Sequence, residues 1–121
     1  VPVFEHQFLK KGVHINGVGA YRPDAREIPG FTMQNAKLVV DQRSAALAEA
    51  GDVILPIQEG LFDENHIFAE LGEIGSGKKS GRTSSDEITV FKSVGNAAQD
   101  LAVASYLIQK AQKLNLGTVL T

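Results

Sequence analysis

The sequence contains no cysteine among its 121 residues. Disulfide bonds and thiolate metal sites are therefore excluded, although the redox compartment stays open because many intracellular and some secreted proteins also lack cysteine. No apolar run approaches the length of about 18 residues that marks a transmembrane helix. We expect a cytoplasmic protein that does not insert into a membrane.

A strong excess of either charge is also missing. Lysines and arginines number 12 against 14 acidic residues, and the pI is near 5.9, so nothing favours nucleic acid or an anionic membrane as a partner. A composition of 43% hydrophobic and 21% charged residues is that of one ordinary globular domain. Because the chain starts at Val1 with a pattern typical of the middle of a domain, we expect a piece of a longer protein.

Strand-like segments dominate the first part of the chain. Residues 12–21 mix β-branched residues with glycines and predict a strand that ends in a glycine-rich corner, followed by a proline-containing loop over 21–30. The apolar run within 35–42 predicts a strand covered on both faces. Asp41 stands where that strand ends.

The next segments are shorter. Residues 43–51 predict a helix that Gly51 terminates. Residues 52–60 fit either a strand or a helix, and Pro56 argues against a central strand. Residues 65–74 predict a helix that leads into a flexible polar segment.

A strand over residues 87–93 then runs directly into the last helix through a short glycine-containing corner. Asn96 and Gln99 approximate a capping box for this helix, and residues 115–117 supply a stop. Its roughly 30 Å length predicts packing on another domain or subunit. The apolar stripe of the helix comprises Ala98, Leu101, Ala104 or Ser105, Ile108 and Ala111. Strands that alternate with helices predict an α/β fold with a parallel sheet.

Two phosphate-binding motifs are incomplete. Residues 17–22 begin like a dinucleotide fingerprint but place Arg22 where the third glycine belongs, and Pro23 follows instead of a helix. Residues 72–79 match a P-loop except that Lys79 replaces the serine or threonine that would hold magnesium, and the predicted helix precedes them where a P-loop needs a strand. We interpret both as turns without a phosphate site.

The histidines do not have the spacing of metal ligands. His6, His14 and His66 lie far apart in the sequence, so we predict hydrogen-bonded structural roles for them and no metal site. The acidic pairs beside turns are typical of solvated surfaces. No G-x-S-x-G nucleophile motif is present.

Two small-residue corners remain as candidate sites, residues 18–21 and 93–96. In open parallel sheets, ligands bind outside the carboxyl ends of the strands, where such corners let a flat ring or a phosphate approach the backbone closely. The alternative is that these glycines only permit tight turns.

Four segments resemble one known family, in order and at the family's spacing. They are "KKGVHINGVGAYRPDAREIP" (10–29), "DQRSAALAEAGDVILPI" (41–57), "AELGEIGSGKKSGRTSSDEITVFKSVGNAAQDLA" (69–102) and "LNLGT" (114–118). Together they resemble the C-terminal half of the ornithine cyclodeaminase / mu-crystallin family, whose members bind NAD or NADP and oxidise amino acids or reduce imines.

The resemblance implies an architecture and partners. Residues 1–95 would be the second half of a Rossmann-type NAD(P)-binding domain, and residues 96–116 the helix that returns to a dimerisation domain. The implied partners are a small-molecule substrate and a second subunit in a homodimer. The glycine fingerprint and the residues that hold the substrate carboxylate would lie outside this sequence.

The resemblance also implies site residues. Ser93 would lie against the nicotinamide end of the cofactor, and Val94 would contact the substrate. The opposite wall would be the corner of Val18, Gly19, Ala20 and Tyr21, with Tyr21 also near the substrate. Hydride transfer needs two carbon atoms held at near-contact distance in a dry pocket, and small corners on rigid strands allow that approach. Glu49 and Lys92 are interpreted as structural or surface residues.

Tyr21 departs from the cyclodeaminase branch, where an aspartate donates and accepts protons at this position. The "YRPDAREIP" segment is closer to the mu-crystallin and ketimine-reductase branch. The leading hypothesis is an NAD(P)-dependent oxidoreductase that acts on a small imine or amino acid. The alternatives are an ornithine cyclodeaminase that forms proline and ammonia, and a non-catalytic small-ligand binder. No catalytic residue is assigned.

Overall fold

A computed structural model describes residues 1–118, which form a four-stranded parallel sheet with flanking helices. The strands lie in the order β1-β4-β2-β3, so the last strand in sequence lies between the first two. The strands are β1 (His14–Gly17), β2 (Lys37–Val40), β3 (Ile67–Glu70) and β4 (Thr89–Lys92), and the helices are α1 (Gly30–Asn35), α2 (Arg43–Glu49), α3 (Gly51–Gln58), α4 (Leu71–Gly75) and α5 (Ala97–Leu114). Two 3₁₀ turns, His6–Phe8 and Glu64–His66, complete the chain order.

The core lies between the sheet and the helices α1 to α3. Leu38 and Val40 of β2 and Val90 of β4 are fully buried, together with Met33 and Val53 from the helices. Alternate residues of β2 point into this core, because successive side chains of a strand face opposite sides. The α/β class with parallel strands, flanking helices and a long C-terminal helix is therefore confirmed.

The prediction of a helix over residues 65–74 was wrong. Residues 67–70 form strand β3, and only Leu71–Gly75 are helical. Ile67 and Ala69 are buried against β2 while Phe68 and Glu70 are half-buried on the other side, which is the period of a strand. A short apolar run fits both periods, and its pairing with β2 decides between them.

Gly51 does not terminate the preceding helix as predicted. Helix α2 ends at Glu49, and Gly51 is the first residue of α3. A Cβ atom on Gly51 would lie 1.9 Å from the carbonyl oxygen of Ala25 and 2.6 Å from that of Arg22. A glycine is needed here because the backbone of the loop after β1 packs directly on the start of α3.

The ambiguous segment 52–60 is mainly helical, and Pro56 lies inside α3. Because proline has no backbone N–H group, Pro56 removes one hydrogen bond from this eight-residue helix. The strand over 87–93 and the helix after Asn96 are confirmed with slightly different ends.

Asn96 caps helix α5 and Asn115 ends it as the sequence predicts, although within residues 1–118 the Gln99 side chain does not complete the expected capping box. The helix has no buried residue in this chain. The Asn96 side chain accepts a hydrogen bond from the backbone N–H of Ala98 at 2.9 Å, and Asn115 ends the helix in the left-handed conformation. Its large apolar residues are more than half exposed, for example Leu101 at 68% and Ile108 at 59%. Within residues 1–118, no helix combines the length and the apolar character needed to cross a membrane.

Candidate functional site at the carboxyl edge of the sheet

The two predicted corners are neighbours at one edge of the sheet. Strands β1 and β4 pair in parallel with Gly17 opposite Lys92, so both chains leave the sheet at the same end. The backbone N–H of Ser93 continues the ladder by donating to the carbonyl of Gly17 at 3.0 Å. Residues 18–21 and 93–96 therefore start side by side.

Asp41 organises the corner after β4. Its Oδ2 atom accepts hydrogen bonds from the Ser93 hydroxyl at 2.8 Å and from the backbone N–H groups of Val94 and Gly95 at 2.9 and 3.0 Å. Its Oδ1 atom accepts from the N–H of Gln42 at 2.9 Å. The carboxylate is 8% exposed, so a nearly buried charge fixes the conformation of this corner.

Glu27 supports the corner after β1, residues 18–21. Its Oε1 atom accepts a hydrogen bond from the backbone N–H of Gly19 at 2.8 Å. A Cβ atom on Gly19 would lie 2.2 Å from Glu27 Oε2, so the corner rests directly on this carboxylate. Ala20 is buried next to it, whereas the side chains of Val18 and Tyr21 are each 65% exposed.

A buried lysine beside the second corner pairs with Asp52 and with Glu27, the support of the first corner. Lys92 Nζ lies 3.0 Å from Asp52 Oδ2 and 3.6 Å from Glu27 Oε1. Asp52 Oδ1 accepts from the N–H groups of Glu27 and Ile28, each at 2.8 Å. Lys92 is thus a structural residue of the interior, in agreement with the sequence interpretation.

Sequence reasoning assigned no role to Asp41, Glu27 or Asp52. Asp41 offered a signal, since a carboxylate that directly follows a buried strand lies at the ligand-binding edge of a parallel sheet. Glu27 and Asp52 offered none, because their partners lie on other elements.

The loop after the first corner carries an exposed ion pair. The guanidinium of Arg22 donates to both carboxylate oxygens of Asp24, at 3.0 and 2.7 Å. This hydrogen-bonded pair lowers the pKa of Asp24 and raises that of Arg22. Both side chains are about two-thirds exposed, so the pair adds little stability.

The backbone at the second corner is open. Gly95 has a φ of +99°, which L side chains rarely adopt, and a Cβ atom there would meet nothing within 4 Å. Ser93 and Val94 are half-buried. The edge therefore offers a small-residue wall, with hydrogen-bonding groups in fixed positions, that a flat ring can approach.

An apolar cavity lies elsewhere, against the sheet face that α1 to α3 do not cover. Its volume is about 360 Å³, and it is lined by residues that include Asn16, Val39, Leu71 and Phe91. None of the predicted site residues lines it. We place the candidate site at the strand ends because the fixed polar groups lie there, whereas the cavity is mainly an uncovered strand surface.

The other sequence motifs have structural roles. Strand β3 precedes residues 72–79, as a P-loop requires, and the predicted helix does not. Gly72 and Gly75 nevertheless lie inside α4, so this segment is not a phosphate-binding loop. The three histidines are hydrogen-bonded as predicted: His6 to Thr32, His14 to Thr89 and Asn16, and His66 to the carbonyl of Met33.

Comparison with known proteins agrees with this architecture. A Delta(1)-pyrroline-2-carboxylate reductase of Bacillus cereus is 53% identical over 117 residues, which are 96% of this chain and 36% of that protein. The ketimine reductase mu-crystallin of Macropus fuliginosus is 48% identical over 107 residues, 88% of this chain and 31% of that protein. The chain therefore spans about a third of the length of these curated relatives.

A solved structure extends the likeness to three dimensions. The Delta(1)-pyrroline-2-carboxylate reductase of Thermococcus litoralis, solved in complex with NADH and L-proline, matches with a TM-score of 0.87 and 45% identity, over 98% of this chain and 37% of that chain. The family profile described as "Ornithine cyclodeaminase/mu-crystallin family" covers residues 1–115. This chain belongs to the ornithine cyclodeaminase/mu-crystallin family.

Proposed function

We propose that this chain supplies one wall of the nicotinamide site in an NAD(P)-dependent oxidoreductase that reduces a small cyclic imine with a carboxylate, of the Delta(1)-pyrroline-2-carboxylate class. The observation that carries the proposal is the pair of fixed corners at the carboxyl edge of the sheet, in a chain 53% identical to a reductase of that imine. The chain spans about a third of that relative's length, and the proposal assigns the remaining cofactor and substrate contacts to residues outside this sequence.

The residues at the edge fit the flat end of a dinucleotide. Gly19 and Gly95 leave the backbone accessible, and Val18 offers an exposed apolar surface beside them. A reduced nicotinamide held by these residues would supply a hydride to the carbon of the protonated imine, which would become the amine. Val18, Gly19, Ala20, Tyr21 and Ser93 are the proposed cofactor contacts.

The proposed substrate contacts are Tyr21 and Val94, one on each corner. Tyr21 is exposed at the edge, where it can shape the pocket or donate one hydrogen bond. The backbone N–H of Val94 is held by Asp41, so the side chain of Val94 starts from a fixed backbone. These contacts would hold the imine against the ring and keep water away.

We also propose the domain division and assembly expected from the sequence, with a partial Rossmann-type domain over 1–95, a returning helix over 96–116 and a homodimer. The exposed apolar residues of α5 support the dimer, because a free helix of this kind is unfavourable in water. The cytoplasmic location stays a prediction.

The test is the oxidation of NADH or NADPH by the full-length protein with Delta(1)-pyrroline-2-carboxylate, followed by absorbance and by detection of proline. Proline formation that depends on the imine supports the proposal. Formation of proline and ammonia from ornithine would instead indicate a cyclodeaminase. Ligand binding without turnover of any imine would favour the non-catalytic binder.

A further inference from the structure

We propose that Asp41 fixes the hydroxyl of Ser93 as a hydrogen-bond acceptor, so that this position selects the NH₂ group of the nicotinamide carboxamide. The inference rests on the proposed function, because it takes the nicotinamide as the ligand of the edge. It assigns to Asp41 a positioning role, and to Ser93 a defined polarity.

The position of the hydroxyl proton follows from the donors around Asp41. The N–H groups of Val94 and Gly95 both point at Oδ2, at 2.9 and 3.0 Å. The other oxygen, Oδ1, likewise faces the N–H of Gln42 at 2.9 Å, so both oxygens meet donors, as suits a carboxylate that only accepts. The hydroxyl of Ser93, 2.8 Å from the same oxygen, must therefore donate its proton to Asp41.

One acceptor position of Ser93 is also occupied. The N–H of Gly95 is shared between Asp41 Oδ2 and Ser93 Oγ, with a distance of 3.1 Å to the latter. A hydroxyl has one proton and two lone pairs. The half-buried Ser93 therefore has one lone pair left for a ligand and no proton to give.

The nicotinamide ring carries one polar substituent, a carboxamide with an acceptor oxygen and a donor NH₂ group. A hydroxyl that only accepts can pair with the NH₂ group. If the carboxamide oxygen faced this hydroxyl instead, that oxygen would stay unsatisfied, and an unsatisfied group costs more than a hydrogen bond gains. Asp41 would thus set both the orientation of the ring and the preference for a carboxamide.

Calorimetric titration of the full-length protein tests this with NAD⁺ and with 3-acetylpyridine adenine dinucleotide, in which a methyl ketone replaces the carboxamide. The readout is the ratio of the two Kd values, which needs no catalysis. We expect the wild type to prefer NAD⁺ by about tenfold, the worth of one hydrogen bond. In Ser93→Ala the ratio should fall close to one.

Two substitutions of Asp41 form a matched pair. Asp41→Ala frees the hydroxyl to rotate, so its ratio should fall toward that of Ser93→Ala. Asp41→Asn loses the bond from the N–H of Gln42, which would meet its NH₂ group, but it can keep an amide oxygen facing the same three donors and should retain the wild-type ratio. Thermal unfolding of each variant verifies that it is folded. If Asp41→Ala does not fold, Ser93→Ala still tests the inference.

The outcomes separate the two proposals. An unchanged ratio in Ser93→Ala or in folded Asp41→Ala overturns the assignment, as does an Asp41→Asn ratio equal to that of Asp41→Ala. Absence of binding of both NAD⁺ and NADP⁺ by the wild type overturns the nicotinamide site and this inference together. Binding with the expected ratios but without imine reduction supports the inference and removes only the proposed substrate.

Discussion

Lys92 Nζ lies 3.0 Å from Asp52 Oδ2 in the interior of the protein, and neither side chain has any exposed surface. Within residues 1–118, neither atom has a partner in hydrogen-bond geometry, so the contact is an ion pair. Asp52 Oδ1 is separately occupied by two backbone N–H groups. Removal of the Asp52 charge leaves the buried Lys92 with only the more distant and partly exposed Glu27, at 3.6 Å, as a counter-charge.

Asp52→Asn should therefore lower the stability of the protein by about 3 kcal/mol. The asparagine keeps an oxygen for the N–H groups of Glu27 and Ile28, so the loss reports on the stranded Lys92 charge. The double variant Asp52→Asn/Lys92→Met removes both charges and should recover most of the loss. Urea unfolding of the wild type, the single variants Asp52→Asn and Lys92→Met, and the double variant measures this, and a double variant whose loss equals the sum of the two single losses would contradict it.

The same pair illustrates what the sequence can predict. The strand-to-helix corner at Ser93 was predictable because the hydrophobic period changes there, and its neighbour at Val18 because glycines follow a β-branched run. The burial of Lys92 was not predictable from the sequence, because its partner Asp52 lies far earlier in the chain, on another element. Likewise β3 resembled a helix until its pairing with β2 was known.

The helical glycines Gly51 and Gly72 should respond oppositely to alanine. In Gly51→Ala the new Cβ would meet the backbone oxygen of Ala25 at 1.9 Å, so the loop or the start of α3 must move. In Gly72→Ala the Cβ meets nothing within 4 Å, and the higher helix propensity of alanine should stabilise the protein by about 0.5–1 kcal/mol. Thermal unfolding compares them, and equal shifts would refute the close approach at Gly51.

Glu87 should make stability depend on pH on the acidic side. Its Oε1 lies 2.8 Å from Lys37 Nζ, and this hydrogen bond, with one from the N–H of Thr83, holds the pKa of Glu87 below its ordinary value of 4.5. A lowered pKa in the folded state adds stability above the unfolded pKa, and that stability is lost as pH falls through the folded pKa.

Glu87→Gln should therefore lower the melting temperature at neutral pH, and the difference from wild type should shrink as the pH falls through the lowered pKa. Glu49→Gln, on the exposed surface of α2, controls for the loss of one negative charge. Melting temperatures measured across the acidic range decide the matter. A difference that stays constant with pH would mean that the Lys37 contact does not act through the charge of Glu87.

Ile108→Glu should weaken self-association of the full-length protein. Ile108 belongs to the apolar stripe of α5 and is 59% exposed in this chain, so a charge there costs nothing in a monomer but is buried in a dimer. Gln109→Glu introduces the same charge on the neighbouring, also exposed residue and should leave the mass unchanged if only the stripe is covered. Sedimentation analysis gives the masses, and a dimer retained by Ile108→Glu would exclude this helix face as the interface.

The resemblance to the cyclodeaminase branch implies that Tyr21 occupies the position of that branch's aspartate. Its corner rests on Glu27 and lies beside Ser93. Its side chain is 65% exposed, so we expect the phenol to shape the pocket or donate one hydrogen bond. Tyr21→Phe should then reduce imine reduction by about tenfold or less, whereas loss of an obligatory acid would cost about 10² to 10⁴. Tyr21→Asp should not create ornithine cyclodeamination, because Arg22 also departs from that branch. Steady-state kinetics of both variants with the imine and with ornithine test this, and efficient conversion of ornithine to proline by the wild type would rule out the role given to Tyr21.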